Sequence, residues 1–282
     1  VPPALANVNG EQMPLDQVLI PALDRGFLLG DAVYEVIRVY QGKPWLLEDH
    51  LRRLGRSLDA IRLGGIDLER LRCRALETIA AGPFLEAIIY IQITRGQAPR
   101  SHPFPRSATP LELLYVQEFV DPYVEARRTG AAALTRPDTR WDRCDIKSTN
   151  LLANVLAAQE AREAGCLEAL FYLPNGTLTE GTHTSFFGVL DDKVLTAPTS
   201  HDILPGITRS LVLRLTVRAG IPVREQVLKR EDLARVSELF LTGTTTEIMP
   251  ITRVDECPIA DGQPGPMTRR LQAAYREAVA EL

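Results

Sequence analysis

The segment Trp141-Asp-Arg-Cys-Asp-Ile-Lys-Ser-Thr-Asn150 runs into an apolar-periodic stretch over 150–164 that Gly165 ends. Leu151, Val155, Ala158 and Arg162 fall on one helical stripe, widened by Leu152 and Leu156, so the spacing predicts a helix that buries this face. Residues 131–134 read as a strand before it. After it come strands at 168–173, 177–179, 185–190 and 194–197, with Pro174-Asn175-Gly176 as a turn, then a helix over 208–219 stopped by Gly220 and a strand over 237–242. Upstream, 4–9 and 12–18 read as a hairpin about Gly10, and 34–40 alternates large residues at period two. Leu51, Leu54, Leu58 and Ile61 predict a helix over 48–63, a second follows at 68–81, and strands at 87–94 and 111–117 flank a loop with four prolines. A loop as long as 95–110 is often functional. The fold class is α+β in both halves. The polar stretch with Asp121-Pro122 makes 120–130 the interdomain linker, between a small N-terminal domain over 1–119 and a larger C-terminal domain over 131–282.

Composition narrows the function classes. The 282 residues are 45% hydrophobic and 24% charged with a formal net charge of −4, ordinary for a globular chain and without a basic tract for nucleic acid. No apolar run reaches membrane-spanning length, and residues 1–10 lack the basic start and apolar core of a secretory signal. Cys73, Cys144, Cys166 and Cys257 have neither zinc-ligand nor disulfide-framework spacing, so no metal is expected and a reducing cytoplasm is the simplest home.

Of 32 basic residues only four are lysines. Arginine cannot supply a deprotonatable amine, so amine chemistry rests on Lys43, Lys147, Lys193 or Lys229. Lys43 sits in a turn, Lys193 in a charged hairpin tip and Lys229 in a charged cluster, all solvated readings. Lys147 precedes the helix. An amine among apolar and cationic neighbours is more readily neutral and able to attack an aldehyde, and a salt bridge to Asp145 is the alternative reading. Pro205-Gly206-Ile207-Thr208-Arg209 opens a helix with backbone N–H groups and a hydroxyl suited to an anion, and Gly243-Thr244-Thr245-Thr246 offers a second hydroxyl-rich turn. Each turn alone is equally a plain turn. Thr179-Glu180-Gly181 places a carboxylate at a strand end, either a surface glutamate or an anionic partner for a pyridine nitrogen.

Taken together, Asp24-Arg-Gly-Phe-Leu-Leu-Gly-Asp-Ala-Val-Tyr-Glu-Val36, His50-Leu-Arg-Arg-Leu54, Lys147-Ser-Thr-Asn150, Thr179-Glu-Gly181, Gly206-Ile-Thr-Arg209 and Gly243-Thr-Thr-Thr-Glu247 resemble the fold type IV pyridoxal-phosphate aminotransferases, the branched-chain and D-amino acid aminotransferase superfamily. The resemblance covers nearly the whole chain. Thr94-Arg-Gly-Gln-Ala-Pro-Arg-Ser-His102 and 140–147 look most like its D-amino acid branch. It implies two domains, each a sheet or barrel with flanking helices, the C-terminal one binding cofactor. It further implies pyridoxal 5'-phosphate on Lys147 as a Schiff base, Glu180 facing the pyridine nitrogen, and Leu204 packing on the ring. Arg53, Ile207, Thr208, Gly243 and Thr244 would hold the phosphate, and Tyr34, Arg100 and His102 the substrate carboxylate. In the relatives the loop carrying Arg100 and His102 reaches the neighbouring subunit, which implies a homodimer. Thr182-His183-Thr184-Ser185 departs from the family's usual serines and asparagine, which bears on cofactor tuning and substrate range.

The expected activity is therefore ping-pong transfer of the amino group of a D-amino acid such as D-alanine to a 2-oxo acid such as 2-oxoglutarate. The alternatives are a branched-chain L-amino acid or (R)-amine transaminase, an aminodeoxychorismate lyase, or a cofactor-binding protein without turnover.

Overall fold

The structure, a computed structural model, describes residues 4–282; the first three residues of the expected N-terminal domain lie outside them. The chain divides into two compact units, residues 1–120 with 146–150 and residues 121–145 with 151–282.

The first unit is a six-stranded sheet with three helices. Its strands are β1 (Leu5–Val8), β2 (Glu11–Pro14), β3 (Ala32–Tyr40), β4 (Lys43–Pro44), β5 (Ala87–Thr94) and β6 (Leu111–Glu118), in the order β2-β1-β6-β5-β3-β4. Every pairing is antiparallel. Helix α1 is Arg25–Leu29, α2 Leu47–Ala60 and α3 Leu68–Ala81. Leu51, Leu54 and Leu58 of α2 and Leu71, Ala75 and Ile79 of α3 share one core with Val33, Ile37, Ile89, Ile91 and Leu114 of the sheet, as the helical and period-two spacings require. The expected strand over 12–18 stops at Pro14, whose missing N–H cannot extend the ladder, and Leu15–Gln17 form a 3-10 turn.

The second unit carries a nine-stranded mixed sheet. Its strands are β7 (Ala131–Pro137), β8 (Glu168–Tyr172), β9 (Leu178–Gly181), β10 (Ser185–Leu190), β11 (Lys193–Thr196), β12 (Val223–Glu225), β13 (Glu238–Gly243), β14 (Glu247–Val254) and β15 (Cys257–Pro258). The order is β12-β11-β10-β13-β14-β7-β8-β9, with β15 beside β14. Its helices are α4 (Val124–Thr129), α5 (Leu152–Glu163), α6 (Ile207–Arg218) and α7 (Pro266–Ala280). Residues 120–130, the expected linker, include α4, and Ile146–Asn150 cluster with the first unit although they lie within the expected C-terminal domain.

Helix α5 corrects the opening expectation in one respect. The helix is present, but it buries the small residues Ala157 and Ala161 against Leu134, Ala169 and Phe171, while Leu152, Val155 and Leu156 are 73%, 58% and 58% exposed. A periodic apolar stripe says that a face seeks burial, not against which partner. No helix among the described residues is long and apolar enough to cross a membrane.

Candidate active site

In the first unit β3 turns Tyr34 and Glu35 to opposite faces of the sheet. Glu35 is fully buried. Arg53 Nε and Nη2 donate to its two oxygens at 2.8 and 2.7 Å, and His50 Nδ1 lies 2.7 Å from Oε2. His50 and Arg53 are three apart on α2 and so share a face. Burial alone would raise the Glu35 carboxyl, but Arg53 and His50 outweigh it and hold it at about 2. Burial depresses His50, so the neutral ring donates its Nδ1–H to the carboxylate. One turn beyond Arg53, Ser57 Oγ accepts the Lys147 N–H at 3.2 Å, and Tyr34 N–H donates to the Lys147 carbonyl at 2.9 Å. Lys147 Nζ stands 4.4 Å from the Tyr34 ring centroid, and that ring stacks on Tyr90. Asn150 Nδ2 donates to Gly30 O at 3.1 Å; Gly30 has φ +64°, and a Cβ there would collide with the Asn150 carboxamide. The Lys147 amine and the Tyr34 ring are thus brought together, whereas the Arg53 guanidinium goes to Glu35. Arg100 and His102 are exposed on the 95–110 loop. Lys43 and Lys229 are exposed and Lys193 is half-buried. Asp145, the alternative partner read for Lys147, is forked by Arg143 at 2.9 Å from both Nε and Nη2.

In the second unit Glu180 is the penultimate residue of β9 and is buried. Arg140 Nη1 donates to it at 2.6 Å, and the Leu204 N–H reaches both its oxygens at 3.1 and 3.0 Å. Arg140 also forks Asp138, at 3.0 and 2.7 Å, and lies over the Phe171 ring. Burial pushes the Glu180 carboxyl up to about 7, against the pull of Arg140 and the Leu204 amide. Two residues after Leu204, Gly206 caps α6 without a side-chain hydrogen bond, which leaves the orphan N–H groups of Ile207 and Thr208 in the buried first turn.

Gly206 and Gly243 are places of close approach. A Cβ on Gly206 would lie 2.5 Å from Ser185 Oγ, and one on Gly243 2.5 Å from Thr246 Oγ1. Ser185 pairs with Thr242 across β10 and β13, which sets the two turns side by side. Thr242 Oγ1 and Thr246 Oγ1 are buried without a hydrogen-bond partner among the described residues. Orphan hydroxyls are costly unless a ligand satisfies them, and a helix N-terminus beside them suits a phosphate. These residues fit the cofactor's phosphate on chemistry alone. Thr244 is half-exposed on the same turn.

Sequence reasoning missed Glu168. It lies buried in β8 and accepts from Thr182 N at 3.0 Å, Thr182 Oγ1 at 2.5 Å and Thr184 Oγ1 at 2.9 Å, with His183 Nδ1 3.2 Å away. The unusual Thr182-His183-Thr184 run is thus organised about one carboxylate. Glu168 stands in an otherwise apolar strand, Glu-Ala-Leu-Phe-Tyr, and that placement was the available signal.

The α+β folds of the two units, each carrying its own set of polar groups, are those of a pyridoxal-phosphate-dependent aminotransferase. Residues 32–254 match the model of the amino-transferase class IV family. The chain belongs to that family. It is 37% identical to a D-alanine aminotransferase of Bacillus licheniformis, over 96% of this chain and 95% of that protein, and 34% identical to one of Staphylococcus haemolyticus over 96% of each. Among solved structures, an Escherichia coli branched-chain amino acid aminotransferase superposes with a TM-score of 0.91 at 28% identity, over 98% of this chain and 94% of that one. A branched-chain amino acid aminotransferase of T.th., solved with pyridoxamine 5'-phosphate, gives 0.90 at 27% identity, over 99% and 95%.

Proposed function

We propose that this aminotransferase moves the amino group of a D-amino acid, D-alanine as the representative donor, to a 2-oxo acid such as 2-oxoglutarate. The observation that carries the choice of substrate is the near-full-length likeness to D-alanine aminotransferases at 37% identity, against 28% to the branched-chain enzyme of E. coli. Pyridoxal phosphate supplies an electron sink for the carbanion formed at the substrate Cα. Lys147 would hold the cofactor through its aldehyde carbon, and its amine would take and return the proton at that Cα. Glu180 would be the anionic partner of the pyridine nitrogen, and a cationic group there would favour its ionised form. Arg53, Ile207, Thr208, Gly243 and Thr244 hold the phosphate and Leu204 packs on the ring. Tyr34, Arg100 and His102 hold the substrate carboxylate, for which an arginine fork and a phenol are suited donors. The amino group leaves one substrate and joins the next, so the two half-reactions balance without an outside oxidant.

The assembly we propose is a homodimer in which the Arg100 and His102 loop serves the partner's site. The exposed Leu152, Val155 and Leu156 of α5 support it. A reducing cytoplasm is the proposed compartment, and it suits four cysteines that stand as free thiols. The test is spectroscopic. Holoenzyme absorbs in the visible, Lys147→Ala abolishes that band, and D-alanine bleaches it faster than L-leucine or an (R)-amine; a colourless reconstituted protein or faster bleaching by L-leucine overturns the reading.

A further inference from the structure

The 95–110 loop has neither helix nor strand, and its carbonyls need partners from elsewhere. Arg25 provides them for three consecutive residues. Its Nη1 donates to Ser101 O at 2.5 Å and reaches Pro103 O at 3.5 Å, and its Nη2 donates to His102 O at 3.1 Å. Its Nε donates to Asp31 Oδ2 at 2.8 Å, and Arg95 Nε meets the same oxygen at 2.8 Å. Arg25 and Arg95 are only 3% and 6% exposed, so two guanidiniums share one carboxylate out of water. The excess positive charge is offset by carbonyl dipoles: those three for Arg25, and Ile61 O at 2.7 Å and Arg62 O at 3.3 Å for Arg95. Arg95 also lies 3.8 Å from the Phe104 ring centroid. The base of the loop is fixed separately, since Arg25 N–H donates to Gly96 O at 3.0 Å, and Thr94 Oγ1 to Asp24 Oδ2 at 2.6 Å.

Three successive carbonyls turned to one cation curl the backbone around it, and the side chains of the curl face away. Arg100, Ser101 and His102 are all exposed. We propose that Arg25 is a positioning residue that fixes the curl at Ser101–Pro103 and so aims Arg100 and His102 at the substrate carboxylate. This rests on the carboxylate role proposed above for those two residues. Lysine cannot replace the fork, because one ammonium that stays on Asp31 cannot also span three carbonyls.

Arg25→Lys and Arg25→Gln holoenzymes test it by hydrogen exchange and by kinetics with D-alanine. Exchange over 99–104 rises about fivefold or more in both, while β5 and β6 keep wild-type protection. The KM for D-alanine rises about tenfold with kcat within about twofold and cofactor absorption unchanged, and Arg25→Lys adds less than about twofold when placed in Arg100→Ala. Unaltered exchange over 99–104, or a KM penalty of the same size in the Arg100→Ala background, overturns the proposal. A wild-type KM in Arg100→Ala alone refutes the carboxylate reading instead, while the exchange data still decide whether Arg25 fixes the loop.

Discussion

Arg140 Nη1 binds Glu180 Oε1 at 2.6 Å in the second unit, and the same guanidinium forks Asp138. One cation thus serves two carboxylates, and the buried one still lies at about 7. Without that cation the anionic form of Glu180 would keep only the Leu204 amide and would face Asp138 unshielded.

The consequence is a pH profile. In Arg140→Gln the charged form of Glu180 is disfavoured, so its pKa climbs and a higher pH is needed to ionise it. The acidic limb of kcat/KM against pH moves up by about one unit or more, and Arg140→Lys restores part of the shift. An acidic limb that stays in place in Arg140→Gln refutes the link between this pair and catalysis.

Glu35 leads to the opposite pH dependence, and for stability. Its folded pKa is depressed to about 2 from an ordinary 4.5. The Glu35 carboxylate therefore stabilises the fold above pH 4.5, and that stabilisation is lost as pH falls from there toward 2. Glu35→Gln leaves Arg53 buried beside a neutral amide at a cost on the order of 3 kcal/mol near neutrality. Urea unfolding from pH 7 to pH 3 should show the wild type losing this advantage while the variant changes less. Parallel curves would contradict it.

Much of this was legible in the sequence because it is local. The period-two alternation of 34–40 and the leucines of α2 place strands and helices where they stand, and the turns at Gly206 and Gly243 are legible as turns. What was hidden depends on distant partners. Arg53 reads as a phosphate ligand, but its Nε and Nη2 go to Glu35, eighteen residues away, and no spacing encodes that pairing. Glu168 gathers residues fourteen to sixteen positions on. β14 and α7, within 247–282, lie outside the elements that the sequence spacing predicts.

Close approach at Gly206 gives a steric prediction. Its backbone, at φ −62°, accepts alanine, so the main conflict is the added Cβ against Ser185 Oγ at 2.5 Å, with the Arg209 Cβ next at 3.2 Å. Gly206→Ala should weaken pyridoxal-phosphate binding about tenfold and cost about 1–3 kcal/mol of stability. In Ser185→Ala the obstructing oxygen is gone, and the double variant recovers most of both losses. Equilibrium dialysis and thermal unfolding measure the two; additive losses would place the conflict elsewhere.

The outward face of α5 supplies the last test. Leu152, Val155 and Leu156 lie one turn apart or closer and are all more than half exposed, whereas the opposite face is spent on Ala157 and Ala161. Small residues let the helix sit close to β7 and β8, and the large ones remain for another surface. In the proposed homodimer that surface belongs to a second copy. Leu156→Glu places a charge there without disturbing the alanine face, so the monomer stays folded while dimerisation weakens by about 3 kcal/mol, roughly a hundredfold in dissociation constant. Sedimentation equilibrium decides it. An unchanged dimer in Leu156→Glu would show that this face lies outside the subunit contact, and a wild-type monomer at micromolar concentration would refute the dimer itself.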